Sequence, residues 1–187
     1  MKRIDAIAII AEMADASNAL IVCNLGYPSR ELFYVRDRPE NFYMLGSMGL
    51  ASSIALGLSL ALPERRVMAI DGDGSVLMNL GTLATIASFA PSNYLLVVLD
   101  NRVYGSTGCQ PTCTSRCTDL AAVARGAGVR YVRVVSSEEE LRMSLSGSGV
   151  VVAIVEPGNA DVPVVPLSPE EILSRFMERA SPRMRRS

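Results

Sequence analysis

Six short apolar runs constrain this chain more than any other feature. They fall at Ala19 to Cys23, Phe42 to Leu45, Val67 to Ile70, Tyr94 to Leu99, Tyr131 to Val135 and Val150 to Val155, and a helix-like or loop segment separates each from the next. Runs this short, bounded by turn residues, read as strands. Strands apolar at successive positions are covered on both faces, which calls for a parallel sheet with crossover helices on either side. The expected fold class is therefore α/β, a three-layer α/β/α arrangement around a mainly parallel six-stranded sheet. Ile4, Ile7, Ile10 and Ala11 recur at helical spacing ahead of the first strand, with Asp15 to Asn18 as the turn between. Ser168-Pro169-Glu170-Glu171 has the chemistry of a capping box with proline at the first helical position. Ser137 before Glu138 to Glu140 marks another helix start. With 187 residues, 49% of them hydrophobic, and no repeat or linker, residues 1–187 are expected to form one domain, with about 181–187 as a flexible tail.

Composition then removes whole classes of function. The 18 basic and 19 acidic side chains nearly balance, and the arginines are scattered apart from Arg183, Arg185 and Arg186, so there is no basic stripe for nucleic acid. The uncharged stretch Asn41 to Pro63 is long enough to span a membrane. Gly46, Gly49 and Gly57, with Ser47, Ser52, Ser53 and Ser59, divide it instead into a strand, a glycine turn and a buried helix. A second uncharged block, Asn79 to Leu99, is divided at Pro91-Ser92-Asn93. Met1 to Ala14 mixes Lys2, Arg3, Asp5 and Glu12 into its apolar pattern, unlike a signal peptide, so the expected location is the cytoplasm, with no membrane and no nucleic-acid partner. The chain has no histidine, and its one lysine is Lys2. By itself it cannot build a Ser-His-Asp triad, a Cys-His pair, a His-ligated metal site or a P-loop lysine. Its chemistry must come from a cofactor or a partner. Cys109, Cys113 and Cys117 follow a C-x3-C-x3-C spacing that matches no zinc pattern. They read as small residues in a loop, with a disulfide or an iron-sulfur site lacking a fourth ligand as the alternatives.

In open parallel sheets, ligands bind beyond the carboxyl ends of the strands. Three segments there stand out. Asp71-Gly72-Asp73-Gly74-Ser75 follows the third run. It is either a tight turn whose aspartate caps the next helix, or a turn whose N–H groups meet a diphosphate while Asp73 offers a hard oxygen to Mg2+. Twenty-eight positions after Asp73, the fourth run ends in Asp100-Asn101-Arg102-Val103-Tyr104-Gly105. Asn101 either closes the strand as an Asx-turn or, with a free loop carbonyl, adds further hard oxygens to the same ion. Leu45-Gly46-Ser47-Met48-Gly49-Leu50 is a glycine-rich strand-to-helix turn with Met48 as an adaptable filler.

Gly72-Asp73-Gly74-Ser75 followed at this spacing by Asn101 resembles the thiamine diphosphate (ThDP) motif of the 2-oxoacid decarboxylase superfamily. The resemblance implies that Asp73 and Asn101 ligate Mg2+ through their side chains and Val103 through its backbone carbonyl. Met48 resembles the apolar wedge that holds the cofactor bent, with Ser47 beside it and the Gly46 carbonyl as acceptor for the 4′-amino group. Asn24-Leu25-Gly26-Tyr27-Pro28-Ser29 with Glu31-Leu32, and Tyr104-Gly105-Ser106-Thr107-Gly108 with Gln110-Pro111-Thr112, look like the sulfopyruvate decarboxylase β subunit and the matching part of phosphonopyruvate decarboxylase. That likeness runs from about Asn24 to Gly158. Cys109 departs from it, standing where a small residue such as glycine is expected.

The resemblance implies a cofactor-binding set of Asn24, Gly26, Gly46, Ser47, Met48, Gly72, Asp73, Gly74, Ser75, Asn101, Val103, Tyr104, Gly105 and Ser106. Ser106, Thr107, Gln110 and Thr112 would be neutral donors near the reaction centre. In this superfamily the activating glutamate sits on a separate pyrimidine-binding (PYR) domain, for which a chain filled by the diphosphate-binding (PP) domain has no room. Glu12, Glu31 and Glu40 are expected at surface positions, and no catalytic side chain is expected in this chain. The implied function is the β subunit of a ThDP- and Mg2+-dependent decarboxylase of small 2-oxoacids. It would pair with a PYR-domain α subunit as α2β2 or larger and convert 3-sulfopyruvate to sulfoacetaldehyde and CO2, as in coenzyme M biosynthesis. The alternatives are phosphonopyruvate as substrate, a 2-oxoacid:ferredoxin oxidoreductase β subunit, and a ThDP-binding module without catalysis.

Overall fold

The computed structural model describes residues 1–180, so the expected tail at about 181–187 lies outside the described residues. In chain order the first half holds α1 (Arg3–Ala16), β1 (Leu20–Cys23), α2 (Tyr27–Arg36), β2 (Asn41–Tyr43), α3 (Ala51–Ala61), β3 (Val67–Gly72), α4 (Asp73–Leu77) and α5 (Gly81–Phe89). The second half holds β4 (Tyr94–Asp100), β5 (Val103–Tyr104), β6 (Gln110–Pro111), α6 (Leu120–Gly126), β7 (Val132–Val135), α7 (Glu138–Ser144), β8 (Gly149–Ile154) and α8 (Pro169–Ala180).

Six strands form one sheet in the order β2-β1-β3-β4-β8-β7, and every pair in it is parallel. From β1 the chain steps outward to β2 and then returns to β3 on the other side of β1. The connections therefore diverge between β1 and β3, opening a crevice at the carboxyl ends of those strands.

Two cores flank the sheet. Ile21, Cys23, Met68, Ile70, Leu95 and Val97 point into one with Ile7, Ile10 and Ala14 of α1 and Leu141 of α7. Leu20, Val22, Ala69, Leu96 and Val98 point into the other with Ala55 of α3, Ile86 of α5 and Ala124 of α6. The strict alternation along β1, β3 and β4 is the two-sided burial that their continuous apolar runs require. At the β2 edge α8 packs Phe176 against Phe42, with ring centroids 5.3 Å apart.

Several boundaries differ from the sequence reading. Asp15 belongs to α1, so the turn shrinks to Ser17 and Asn18. β2 stops at Tyr43 and leaves Leu45 exposed. β7 begins at Val132, and it is not covered on both faces: Arg133 and Val134 face solvent. The reason is position, since β7 is an edge strand with β8 as its one neighbour. The β5–β6 hairpin, antiparallel with Tyr104 opposite Gln110, was expected only as loop. Both capped helix starts form. Ser137 and Glu140 make a reciprocal capping box, and Ser168 and Glu171 exchange bonds of 2.7 and 3.2 Å. Asn41 to Pro63 divides into β2, a turn and α3, and among the described residues no helix is long and apolar enough to cross a membrane.

Candidate functional site

The carboxyl ends of β1, β3 and β4 deliver their following residues to one cavity of about 190 Å³. Of the candidates from sequence, Asn24, Met48, Gly72 to Ser75, Asn101 and Val103 to Ser106 line it. Gly26, Gly46 and Ser47 do not. Gly26 has φ +80° and lies under the hairpin loop, where a Cβ would come within 3.3 Å of Ser106 Oγ. Gly46 borders open space, and Ser47 is an exposed residue at φ 61°. Arg3 also lines the cavity. A larger recess of about 620 Å³, lined by Ala61 to Arg65 and Glu178 to Ala180, lies at the amino ends of the strands, away from all these segments.

Asp73 opens α4 and is 2% exposed. Its Oδ2 accepts from Thr112 Oγ1 at 2.6 Å, and Thr114 Oγ1 lies 3.0 Å from the same oxygen and 2.8 Å from Asp100 Oδ1. Burial pushes the Asp73 carboxyl above its ordinary range, and the Asp100 charge adds to this against the Thr112 bond. Two buried carboxylates crowd one threonine hydroxyl, which can donate to only one of them at a time, and so form a site that a cation would relieve. Asn101 Oδ1 accepts from Val103 N at 3.2 Å, so the Asx-turn does form, and the second lone pair of that oxygen stays available. Arg102 between them takes φ 64°, its N–H bonded to Asp100 Oδ1 at 3.2 Å. All these donors are hard oxygens of the kind Mg2+ and Ca2+ take.

The neighbouring turns are fixed to one another. Ser75 Oγ accepts from Gly49 N at 2.8 Å, and Asn79 Nδ2 donates to Gly49 O at 2.9 Å. The Gly46 to Gly49 turn is thus pinned to the β3–α4 turn, which holds Met48 at the cavity. The Tyr104 ring lies so close over Gly74 that a Cβ there would overlap it, so only glycine admits this packing. Asp71 is fully buried, with Oδ1 accepting from Gly72 N at 3.0 Å and, among the described residues, no hydrogen-bond partner at Oδ2. Burial pushes its carboxyl up to about 6, against the lowering influence of Ser75 and of the Gly72 and Ser52 backbone.

Three expectations are corrected here. Glu31 is not a surface residue. It is 1% exposed and forms a two-bond ion pair with Arg3, at 2.7 and 2.9 Å. Glu40 is only partly exposed and faces Arg179 at 3.6 Å, whereas Glu12 is a surface residue, paired with Arg142 at 2.9 Å. Thr112 is buried and serves Asp73, while Gln110 is exposed and bonds to Thr107, so of the four neutral donors only Ser106 and Thr107 line the cavity. Burial raises the Cys23 thiol, while Cys109, Cys113 and Cys117 are exposed and unpaired. Among the described residues no group of three or more His, Cys, Asp or Glu is placed to hold a metal ion. Arg3, Thr114 and Asp100 were missed as site residues. For Arg3 a signal existed: α1 runs back along the sheet from its turn into β1, so its first residues return to the ligand end.

Comparison with known proteins identifies the family. Residues 29–148 match the family described as thiamine pyrophosphate enzyme, C-terminal TPP binding domain. The chain is 49% identical over 179 residues to the sulfopyruvate decarboxylase subunit beta of Methanothermobacter thermautotrophicus, covering 95% of each. It is 44% identical over 184 residues to the sulfopyruvate decarboxylase of Methanosarcina acetivorans, covering 95% of this chain but 47% of that longer one. A 2-oxoglutarate:ferredoxin oxidoreductase from Magnetococcus marinus shares the fold at a TM-score of 0.67 and 19% identity, over 82% of this chain and 62% of that one.

Proposed function

Because this chain belongs to the thiamine pyrophosphate enzymes through their C-terminal TPP-binding domain, and among them to the sulfopyruvate decarboxylase β subunits, we propose that it decarboxylates 3-sulfopyruvate with Mg2+ and a PYR-domain α subunit. One observation carries this reading. Asp73 and Asn101, at the carboxyl ends of β3 and β4, line one cavity with the Gly72 to Ser75 turn, beside the crevice between β1 and β3 where the sheet's connections diverge.

Bound at that point, ThDP supplies the nucleophilic carbon and the electron sink that decarboxylation of a 2-oxoacid requires. The chain's own residues orient and hold. Asp73 and Asn101 would hold Mg2+ through side chains and Val103 through its carbonyl, with Thr112 and Thr114 fixing the Asp73 carboxylate for the task. Gly74 and Ser75 would present backbone N–H groups to the diphosphate, the Gly72 N–H being taken by Asp71, and Asn24 and the Tyr104 to Ser106 loop would close round it, with Gly26 beneath that loop. Met48 would pack against the bound cofactor, while Gly46 and Ser47 lie outside this chain's part of the cavity, where Ser47 is exposed. Ser106 and Thr107 offer hydroxyls to the substrate.

A cavity of about 190 Å³ is smaller than the ~300–1,000 Å³ that small-molecule sites usually enclose, which fits half of a shared pocket. The longer Methanosarcina relative, about half of which this chain spans, also fits a division into two parts. A soluble cytoplasmic complex of α2β2 or larger follows from the same reading.

The test is reconstitution with a PYR-domain chain, ThDP and Mg2+. We expect sulfoacetaldehyde and CO2 from 3-sulfopyruvate, with kcat/KM at least about tenfold above that for phosphonopyruvate or pyruvate. Equal efficiency with pyruvate overturns the substrate. Failure to bind ThDP overturns the reading as a whole.

A further inference from the structure

The loop between β5 and β6, which carries Ser106 and Thr107 into the cavity, is held mostly by itself. Thr107 N and Cys109 N both donate to Tyr104 O, and Thr107 Oγ1 bonds to Gln110. Among the described residues, one hydrogen bond ties Tyr104 to Gly108 to the body of the chain: Asn159 Nδ2 donates to Gly105 O at 2.9 Å. The same amide accepts at its other end, from Arg3 Nη2 at 3.0 Å, and Arg3 is bound by Glu31 at 2.7 and 2.9 Å. Glu31 Oε1 also accepts from Ala160 N at 3.2 Å, which fixes the segment carrying Asn159.

Resting on the functional reading above, we propose that Asn159 is a positioning residue of the active site, registering the substrate-facing loop to the buried Arg3–Glu31 pair. Chemistry settles which way its amide faces. The oxygen must meet the guanidinium, which only donates, and the nitrogen must meet the carbonyl, which only accepts. Gly105 is the matching feature on the loop, since a Cβ there would lie 2.9 Å from Asn159 Oδ1 and push the tether away. Asn159 itself is exposed and covers no core, so its replacement separates loop position from folding.

Two variants read the tether in the reconstituted complex. Asn159→Asp keeps an oxygen for Arg3 but has no N–H for Gly105, while Asn159→Ala loses both contacts. Both are expected to raise KM for the oxoacid about five- to tenfold, the worth of one hydrogen bond, with kcat within about twofold. Amide exchange at residues 104–108 should speed up by a similar factor with no change elsewhere. That readout needs no turnover: if the wild-type complex decarboxylates nothing, the functional reading fails while exchange still decides the tether. Unchanged exchange at 104–108 overturns the proposal, as does a fall in kcat at constant KM. So does Asn159→Asp behaving as wild type, because the Gly105 bond would then not be the one that matters.

Discussion

Replacing Glu31 by glutamine changes one atom's chemistry and almost no volume, so its effect isolates charge. Arg3 and Glu31 are 8% and 1% exposed and meet in two hydrogen bonds, at 2.7 and 2.9 Å. Glu31→Gln leaves the guanidinium charged and buried, with an amide N–H₂ group facing its donors. Breaking a buried pair from one side costs ~3–5 kcal/mol. In a domain of this size each kcal/mol shifts Tm by about 2–4 °C, so the expected fall is roughly 6–20 °C. Removing both charges should be far milder. The pair Arg3→Met with Glu31→Leu restores an apolar interior, and such swaps range from neutral to stabilising by ~1–4 kcal/mol. Urea and thermal unfolding of Arg3→Met, of Glu31→Leu and of the double variant give the coupling directly. A loss below about 1 kcal/mol in Glu31→Gln, or a double variant no more stable than either single, would refute the argument that an uncompensated buried charge is the cause.

Asp73→Ala should abolish Mg2+-dependent ThDP binding in calorimetry, as should EDTA with the unaltered protein; full binding in either case removes the metal assignment. Gly74→Ala drives a Cβ into the Tyr104 ring and should weaken cofactor binding by about tenfold or more, an overpacking cost of ~1–3 kcal/mol. Gly81→Ala, which meets nothing within 4 Å, is the control and should leave binding unchanged. Asp71 carries a pH dependence. Its folded carboxyl lies at about 6 against an ordinary 3.8, so the folded state holds a proton that the unfolded state has released, and stability falls as pH rises through that window. Asp71→Asn should therefore stabilise at pH 7 by up to ~3 kcal/mol and lose that gain below about pH 4. Unfolding curves for both proteins that run parallel from pH 4 to 7 would contradict it.

The sheet was legible because its signal is local. A run such as Tyr94 to Leu99 can be apolar throughout only where both faces are covered, and β4 is buried at all seven positions. The same logic failed at β7, because hydrophobicity does not encode whether a strand has a neighbour on its far side. The turns after β3 and β4 were legible as well, since glycines and short polar residues at strand ends are needed whatever they bind. Long-range polar partners left no such trace. Thr114 lies 41 positions from Asp73, and Asn159 lies 156 from Arg3. Nothing in the pattern around either residue distinguishes it from an ordinary loop position. Glu31 was misplaced for a related reason: a glutamate on a helix reads as solvent-facing unless its counter-ion is known to lie beneath it, and that counter-ion came from another helix.

These long-range contacts also explain why the cavity is best viewed as unfinished. Asp73 and Asp100 crowd each other with a threonine hydroxyl between them, an arrangement that gains from a cation. Among the described residues, the loop carrying Ser106 and Thr107 hangs on one external hydrogen bond. Around the Gly46 to Gly49 turn, Leu45, Leu50 and Met78 are 57%, 42% and 62% exposed, and Met78 packs close to Gly49. On the proposed function, each feature is a cost in the isolated chain that a ligand or a partner would remove: charge by a metal, loop freedom by a substrate, apolar area by a second subunit. Binding that removes such costs stabilises the folded state by mass action, about 2.7 kcal/mol at a hundredfold excess over Kd. ThDP, Mg2+ and a PYR-domain chain should therefore each raise the Tm of this subunit. Together they should raise it by more than the sum of their separate effects, because each completes the surface on which the others act.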